Sequence, residues 1–277
     1  MKSLLSVVAV GLLGLSSLPQ SVEDLLGSAD GMFQEVWASE YTQEKHLVLE
    51  SRLREAIALY EEAISQEETN VHALTMLARC YYTLADVFLL EDEEKKAAYV
   101  AGQGYGERAL RATPGFVERE EEDGFVAAVR ACQEVGALYW TYANWARKDE
   151  YDKLGAIFRG DAPKLEALIL RCAELDRGYM CAGPLRALGA FWGGLPRLPF
   201  GTYRQNLDRA HQYLSQAVEL CPEYLENLRF MVEFYLEPKG EEEEAQALLE
   251  RIVKAPLGDY PLYNSLTKLW AWQRLSG

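Results

Sequence analysis

The chain has 277 residues, 49% of them hydrophobic and 26% charged, with a formal net charge of -15. That balance is globular, and the length suits one large or two ordinary domains, which sets intrinsic disorder aside. The negative charge repels polyanions and argues against nucleic acid and anionic lipid surfaces as partners.

Residues 1–20 differ from the rest. Lys2 is followed by an apolar stretch from Leu4 to Leu15 and then by Ser16, Ser17, Leu18 and Pro19, the pattern of a secretory signal. The stretch is short for a bilayer span, and no Cys follows it that a lipid would modify. It reads as a leader, cleaved near Ser16 to Gln20 or retained; the alternative is an ordinary buried first helix. Residues 21–277 read as one domain, since no glycine-serine or proline-rich linker divides them.

Beyond the leader, one helix pattern recurs: a small residue, a large one four later, a small one three later, then a stop. Ala56, Tyr60 and Ala63 open the series. Gly102, Gly106 and Ala109 repeat it before Thr113-Pro114, and a weaker copy has Leu165, Ile169 and Cys172. Ala210, Leu214 and Ala217, ending at Cys221-Pro222, form the clearest copy. Small residues let a facing helix approach closely, and proline stops the helix because it cannot donate to the ladder.

First helices of hairpins follow the stops: Leu74, Leu77, Ala78, Tyr81; Leu185, Leu188, Gly189, Trp192; Leu228, Met231, Val232, Tyr235. A partial copy runs Ala245, Leu249, Ile252 and breaks at Pro256. This is the pattern of tetratricopeptide hairpins. It predicts an all-α fold of antiparallel helix-hairpin repeats in one compact superhelical domain. The copies are unevenly spaced, which predicts insertions at Asp86 to Ala98, Lys148 to Asp161 and Gly193 to Thr202. Between the second and third copies, Phe125, Val129, Cys132, Val135, Tyr139, Tyr142 and Ala146 form one apolar stripe, which predicts a single long helix from Phe125 to Lys148.

Two acidic runs, Glu118 to Asp123 and Glu241 to Glu244, read as solvated helix starts that complement the helix dipole, or else as docking patches for a basic partner. The five cysteines, Cys80, Cys132, Cys172, Cys181 and Cys221, are odd in number and contain no CxxC. They indicate neither a disulfide framework nor a zinc site and read as small buried hydrophobes, with Cys172 and Cys181 the pair that a helical turn could bring together.

The chemistry of catalysis is sparse. His46, His72 and His211 are the only histidines, and none has a metal-binding or catalytic partner at a recognisable spacing. No P-loop, dinucleotide-binding pattern or serine elbow occurs, so no cofactor, metal or enzymatic activity is expected. Gly102-Gln103-Gly104-Tyr105-Gly106 looks like a glycine-rich loop, but it follows no strand and its outer glycines occupy the small positions of the repeat.

Two aromatic segments remain: Leu138 to Trp145 and Ala190 to Gly201. They read either as core filling or as the wall of an apolar pocket with a few polar anchors. Under the second reading the lining residues are Tyr139, Trp140, Tyr142, Asn144, Trp145, Phe191, Trp192 and Pro196, with Asn144, Lys148 and Arg197 as anchors. Gly193-Gly194 would allow a tight turn before that loop.

These segments resemble the T component of tripartite ATP-independent periplasmic (TRAP) transporters. The likeness rests on Gly136-Ala137-Leu138-Tyr139-Trp140 with Asn144-Trp145, on Gly193-Gly194-Leu195-Pro196-Arg197, on the helix from Ala210 to Leu220, and on the C-terminal helix around Asn264. It covers the C-terminal half well and the N-terminal half loosely. The resemblance implies an exported, all-helical accessory that binds the periplasmic solute-binding (P) protein, forms a homo-oligomer, and takes an apolar or organic-acid ligand into an internal channel. Members of that family are often lipoproteins, and this sequence departs from them in lacking the lipid-accepting Cys. The rival expectation is a general scaffold that gathers envelope proteins by binding peptides in an open polar groove.

Overall fold

The long helices of this chain carry apolar stripes that one helix alone cannot cover, so they come in pairs. A computed structural model describes residues 20–195 and 202–277; the leader up to residue 19 and residues 196–201, Pro196 and Arg197 among them, lie outside the described residues. Helix α1 (Val22–Trp37) starts where the Ser21 hydroxyl accepts the Asp24 N–H, an N-cap. It folds back through α2 (His46–Gln66), and Ala56, Tyr60 and Ala63 of α2 are fully buried. Asn70 caps α3 (Val71–Thr83), which runs on through a π-helical turn, Leu84–Phe88, before α4 (Asp92–Arg111) returns. Glu61 binds the first two hairpins together by accepting the hydroxyls of Tyr81 and Tyr105.

The next hairpin pairs α7 (Val135–Glu150) with α9 (Ala162–Leu175), and α8 (Lys153–Arg159) lies in the predicted insertion between them. Helix α10 (Tyr179–Gly193) packs on α11 (Tyr203–Leu220). Helix α12 (Glu226–Met231) continues through a second π-helical turn, Val232–Leu236, into α13 (Glu237–Lys239). Helices α14 (Glu242–Lys254) and α15 (Pro261–Ser276) complete the order. No strand occurs among the described residues. The all-α class and the hairpin phase follow the sequence pattern: the stripes at Leu74, Leu77 and Ala78 and at Leu228, Met231 and Val232 are all buried.

The predicted single helix from Phe125 to Lys148 is corrected. The segment is α6 (Phe125–Ala131), a break, and α7. Cys132 is extended at φ -61° and ψ 143°. Its carbonyl accepts the Arg171 guanidinium at 2.9 Å, and the Val135 carbonyl faces the Cys172 thiol at 3.8 Å. A side chain of α9 therefore satisfies the Cys132 carbonyl, which a continuous helix would have used internally. The run Glu118 to Asp123 forms most of α5 (Phe116–Asp123), in which Glu120 grips Arg111 with both oxygens. The second acidic run begins α14, where Glu242, Glu243 and Glu244 form the first turn.

The last helix returns to the first. The Tyr41 N–H, just after α1, donates to the Ser265 hydroxyl on α15 at 2.9 Å, and the rings of Trp37 and Tyr263 lie 5.1 Å apart. The superhelix is thereby closed into a ring. One apolar cluster runs from Leu25 through α10 to Tyr263, and a second fills the corner between α11 and α14. No helix among the described residues is long and apolar enough to cross a membrane.

Candidate functional site

The ring surrounds a partly open cavity, and α7 sets its main wall. Positions three and four apart on this helix point inward: Tyr139, Tyr142, Ala143, Ala146, Arg147 and Glu150, with Trp140 beside them. The opposite face of α7 meets α4 too closely for any residue but glycine at two positions. A Cβ on Gly102 would run into the Asn144 amide, and one on Gly106 into Thr141. The glycines of the apparent glycine-rich loop therefore bring two helices together. Asn144 belongs to this contact, donating to the carbonyls of Ala78 (2.9 Å) and Trp140 (2.8 Å).

Around the rest of the ring, Trp37 comes from α1, Tyr82 from α3, Phe230 from α12, Phe234 from the second π-helical turn and Tyr263 from α15. The Arg79 guanidinium backs this wall, lying 4.4 Å from the centre of the Trp37 ring and 5.4 Å from that of Trp140. The space open to the centre of a water molecule is about 70 Å³, room for a handful of waters or a small organic molecule. A second recess on the far side, with Asp86, Arg229 and Trp270, shares Glu226 and Tyr263 with the first. The two recesses meet at those side chains.

The wall contributed by α10 depends on an uncommon backbone. Met180, Cys181 and Ala182 are consecutive left-handed residues, at φ 49°, 53° and 63°. Such a turn costs roughly 1–2 kcal/mol per residue for L-amino acids, so its surroundings must hold it. Cys181 is joined to Cys221 as a disulfide, with Cα atoms 5.5 Å apart. The Cys181 carbonyl accepts both Arg186 (3.2 Å) and Asn227 (3.3 Å). Gly183 lies so near Tyr139 that a Cβ there would stand 2.8 Å from its hydroxyl. The regular part of α10 then begins at Pro184, a residue suited to a first helical turn. The result is that Met180 faces the cavity.

Two arginines give the cavity its charge. Arg147 pairs with Asp86 (3.0 Å) and Glu150 (3.1 Å). Arg186 is 4% exposed and donates to Asn227 Oδ1 (2.8 Å) and the Tyr139 hydroxyl (3.3 Å). Burial opposes the charge on Arg186, but Tyr139 and Glu226 outweigh it and hold its pKa above the usual value. Burial raises the pKa of the phenols of Tyr82, Tyr139, Tyr142 and Tyr224, so all are neutral hydrogen-bonding edges at pH 7. The carboxylates here face arginines and not one another.

Of the residues read from the sequence, Tyr139, Trp140 and Tyr142 line this space. Asn144 faces α3 and α4. Trp145 lies on the outer face against Phe125, with Lys148 and Lys164 over its ring. Phe191 and Trp192 pack against the two apolar clusters, Trp192 under Arg209. Gly193 is helical and gives no tight turn; its Cβ would strike the Phe234 carbonyl, so its role is close packing. Sequence reasoning missed Trp37, Tyr82, Arg147, Met180, Arg186, Glu226 and Tyr263. Arg186 alone left a signal, a single charge in an otherwise apolar helix.

The cysteine reading is likewise corrected. Cys181 pairs with Cys221, not with Cys172, and Cys80, Cys132 and Cys172 are buried free thiols. Glu223 lies beside the disulfide, and these three form the only metal-like cluster among the described residues; a disulfide sulfur has no thiolate to offer a metal.

No curated protein matches this sequence. A family profile described as TRAP transporter T-component matches residues 46–274, a span that takes in almost every wall of the cavity. The chain belongs to the TRAP transporter T-component family.

Proposed function

We propose that this accessory component works in the periplasm, exported by its leader, where it binds the solute-binding protein of its transport system and passes an apolar or organic-acid ligand through its aromatic interior. The observation that carries the reading is the partly open cavity inside the ring: aromatic walls with few polar anchors are how small-molecule sites are built. A peptide scaffold would be served better by an open polar groove. The contact with the solute-binding protein is assigned to α8. Leu154, Ile157 and Phe158 stand exposed there, Phe158 at 89%, just beyond Glu150 at the cavity wall. An exposed apolar cluster of that kind marks an interaction surface.

The test is fractionation of cells expressing the full chain with its leader and a C-terminal affinity tag. The tagged protein should leave with the periplasmic fraction and carry a TRAP solute-binding protein through purification. Phe158→Glu should abolish that association and leave the melting temperature unchanged. Retention in the cytoplasm, or a purified protein that binds no solute-binding protein, would remove the reading.

A further inference from the structure

Two ionic groups in the cavity are left incomplete by the protein. Arg186 and Glu226 are 4% and 6% exposed, yet their nearest atoms, Nε and Oε2, are 3.8 Å apart, too far for a hydrogen bond. The Nη1 group of Arg186 serves Cys181 and Asn227, and one Nη2 hydrogen serves Tyr139. The Nε–H and the second Nη2 hydrogen have no acceptor among the described residues. Glu226 accepts no hydrogen bond from any of them. Arg147 differs in that its two terminal nitrogens each donate to a carboxylate, Glu150 and Asp86. A buried carboxylate without a donor is costly, and both groups line the same small space.

The charges decide what would complete them. An apolar molecule would displace water from both groups and satisfy neither. A dicarboxylate would satisfy Arg186 but bring its second charge toward Glu226 and Glu150. Taking the cavity as a ligand site, as proposed above, we infer that it binds a small zwitterion carrying an ammonium and a carboxylate a few ångströms apart. The carboxylate accepts the two free N–H groups of Arg186. The ammonium lies against Glu226 and the neighbouring rings of Tyr82 and Tyr263, where an alkylated nitrogen gains cation–π attraction. A cavity of this volume admits a compound the size of an amino acid or a betaine and excludes a long-chain amphiphile.

The experiment compares glycine betaine with 3,3-dimethylbutanoate, which has the same shape with carbon in place of the charged nitrogen, and with succinate. Binding to the intact protein is measured by titration calorimetry at pH 7. Glycine betaine should bind about tenfold more tightly than its carbon isostere. Glu226→Gln, checked for folding by circular dichroism, should erase that preference. Equal or tighter binding of the isostere or of succinate overturns the inference and leaves the cavity a ligand site. Binding of none of the three overturns both the inference and the ligand site.

Discussion

At the scale of single residues, neighbouring side chains on α7 have opposite duties. Trp140 lines the cavity, donating its indole N–H to the Tyr179 hydroxyl at 3.1 Å. Trp145, five residues on, holds the outer face against Phe125. Trp140→Ala should therefore weaken ligand binding in calorimetry by about tenfold or more. Trp145→Ala should cost roughly 3 kcal/mol in urea unfolding and leave affinity unchanged. If both variants lose affinity alike, α7 has no functional face. The sequence made the aromatic richness of this helix plain but not which rings look inward, because stripes on both faces are apolar. The inward stripe was separable only through Gly102 and Gly106, which mark the face that α4 covers. Asn144 was read as an anchor for a ligand; it anchors helices instead, since an amide at a close crossing can serve two carbonyls. Arg186 and Glu226 meet only because α12 is folded against α10, and no spacing along the chain foretells that.

Among the elements, those with a strict period were the legible ones. Small residues spaced by four and three placed α2, α4 and α11, a weaker copy of the same phase placed α9, and Pro114 and Pro222 marked two of the stops. The failures were backbone events with tertiary causes. The break at Cys132 exists because Arg171 reaches across from another helix. The left-handed turn at Met180–Ala182 exists because a disulfide, two buried donors and a crowded Tyr139 hold it there. That turn predicts an inverted response to glycine. In ordinary helix, Ala187→Gly should cost about 1 kcal/mol. At Ala182 the same change relieves a left-handed alanine, so it should be neutral or stabilising. Urea unfolding of the two variants side by side decides it. An equal loss in both would mean that the turn carries no conformational penalty.

For the whole molecule, the decisive contact is α15 against α1. Without it the hairpins would still stack, but Trp37 and Tyr82 would face solvent and the cavity would lose a wall. Deleting residues 260–277 should therefore lower the melting temperature by about 10 °C or more, since a few kcal/mol are worth several degrees at this size, and should raise the binding of a dye that reports exposed apolar surface. An unchanged melt would show that closure contributes nothing to stability. The repeat pattern predicted a superhelix; it did not predict closure, which depends on total curvature, and that is a sum over all the irregular insertions.

Closure also dictates a history for each new molecule. Tyr41 and Ser265 are separated by 224 residues, so the closing contact is among the costliest in chain entropy in the fold and forms late. Hairpins near the beginning of the chain are complete while α15 is still unmade, and for that interval the molecule is an open crescent with its tyrosines and tryptophans bare. Such a crescent is sticky, and its vulnerable lifetime lasts until the last helix is delivered, however fast the hairpins form. A chain cut short before residue 260 would be held in its most aggregation-prone form, so the last helix is where truncation should cost most in yield.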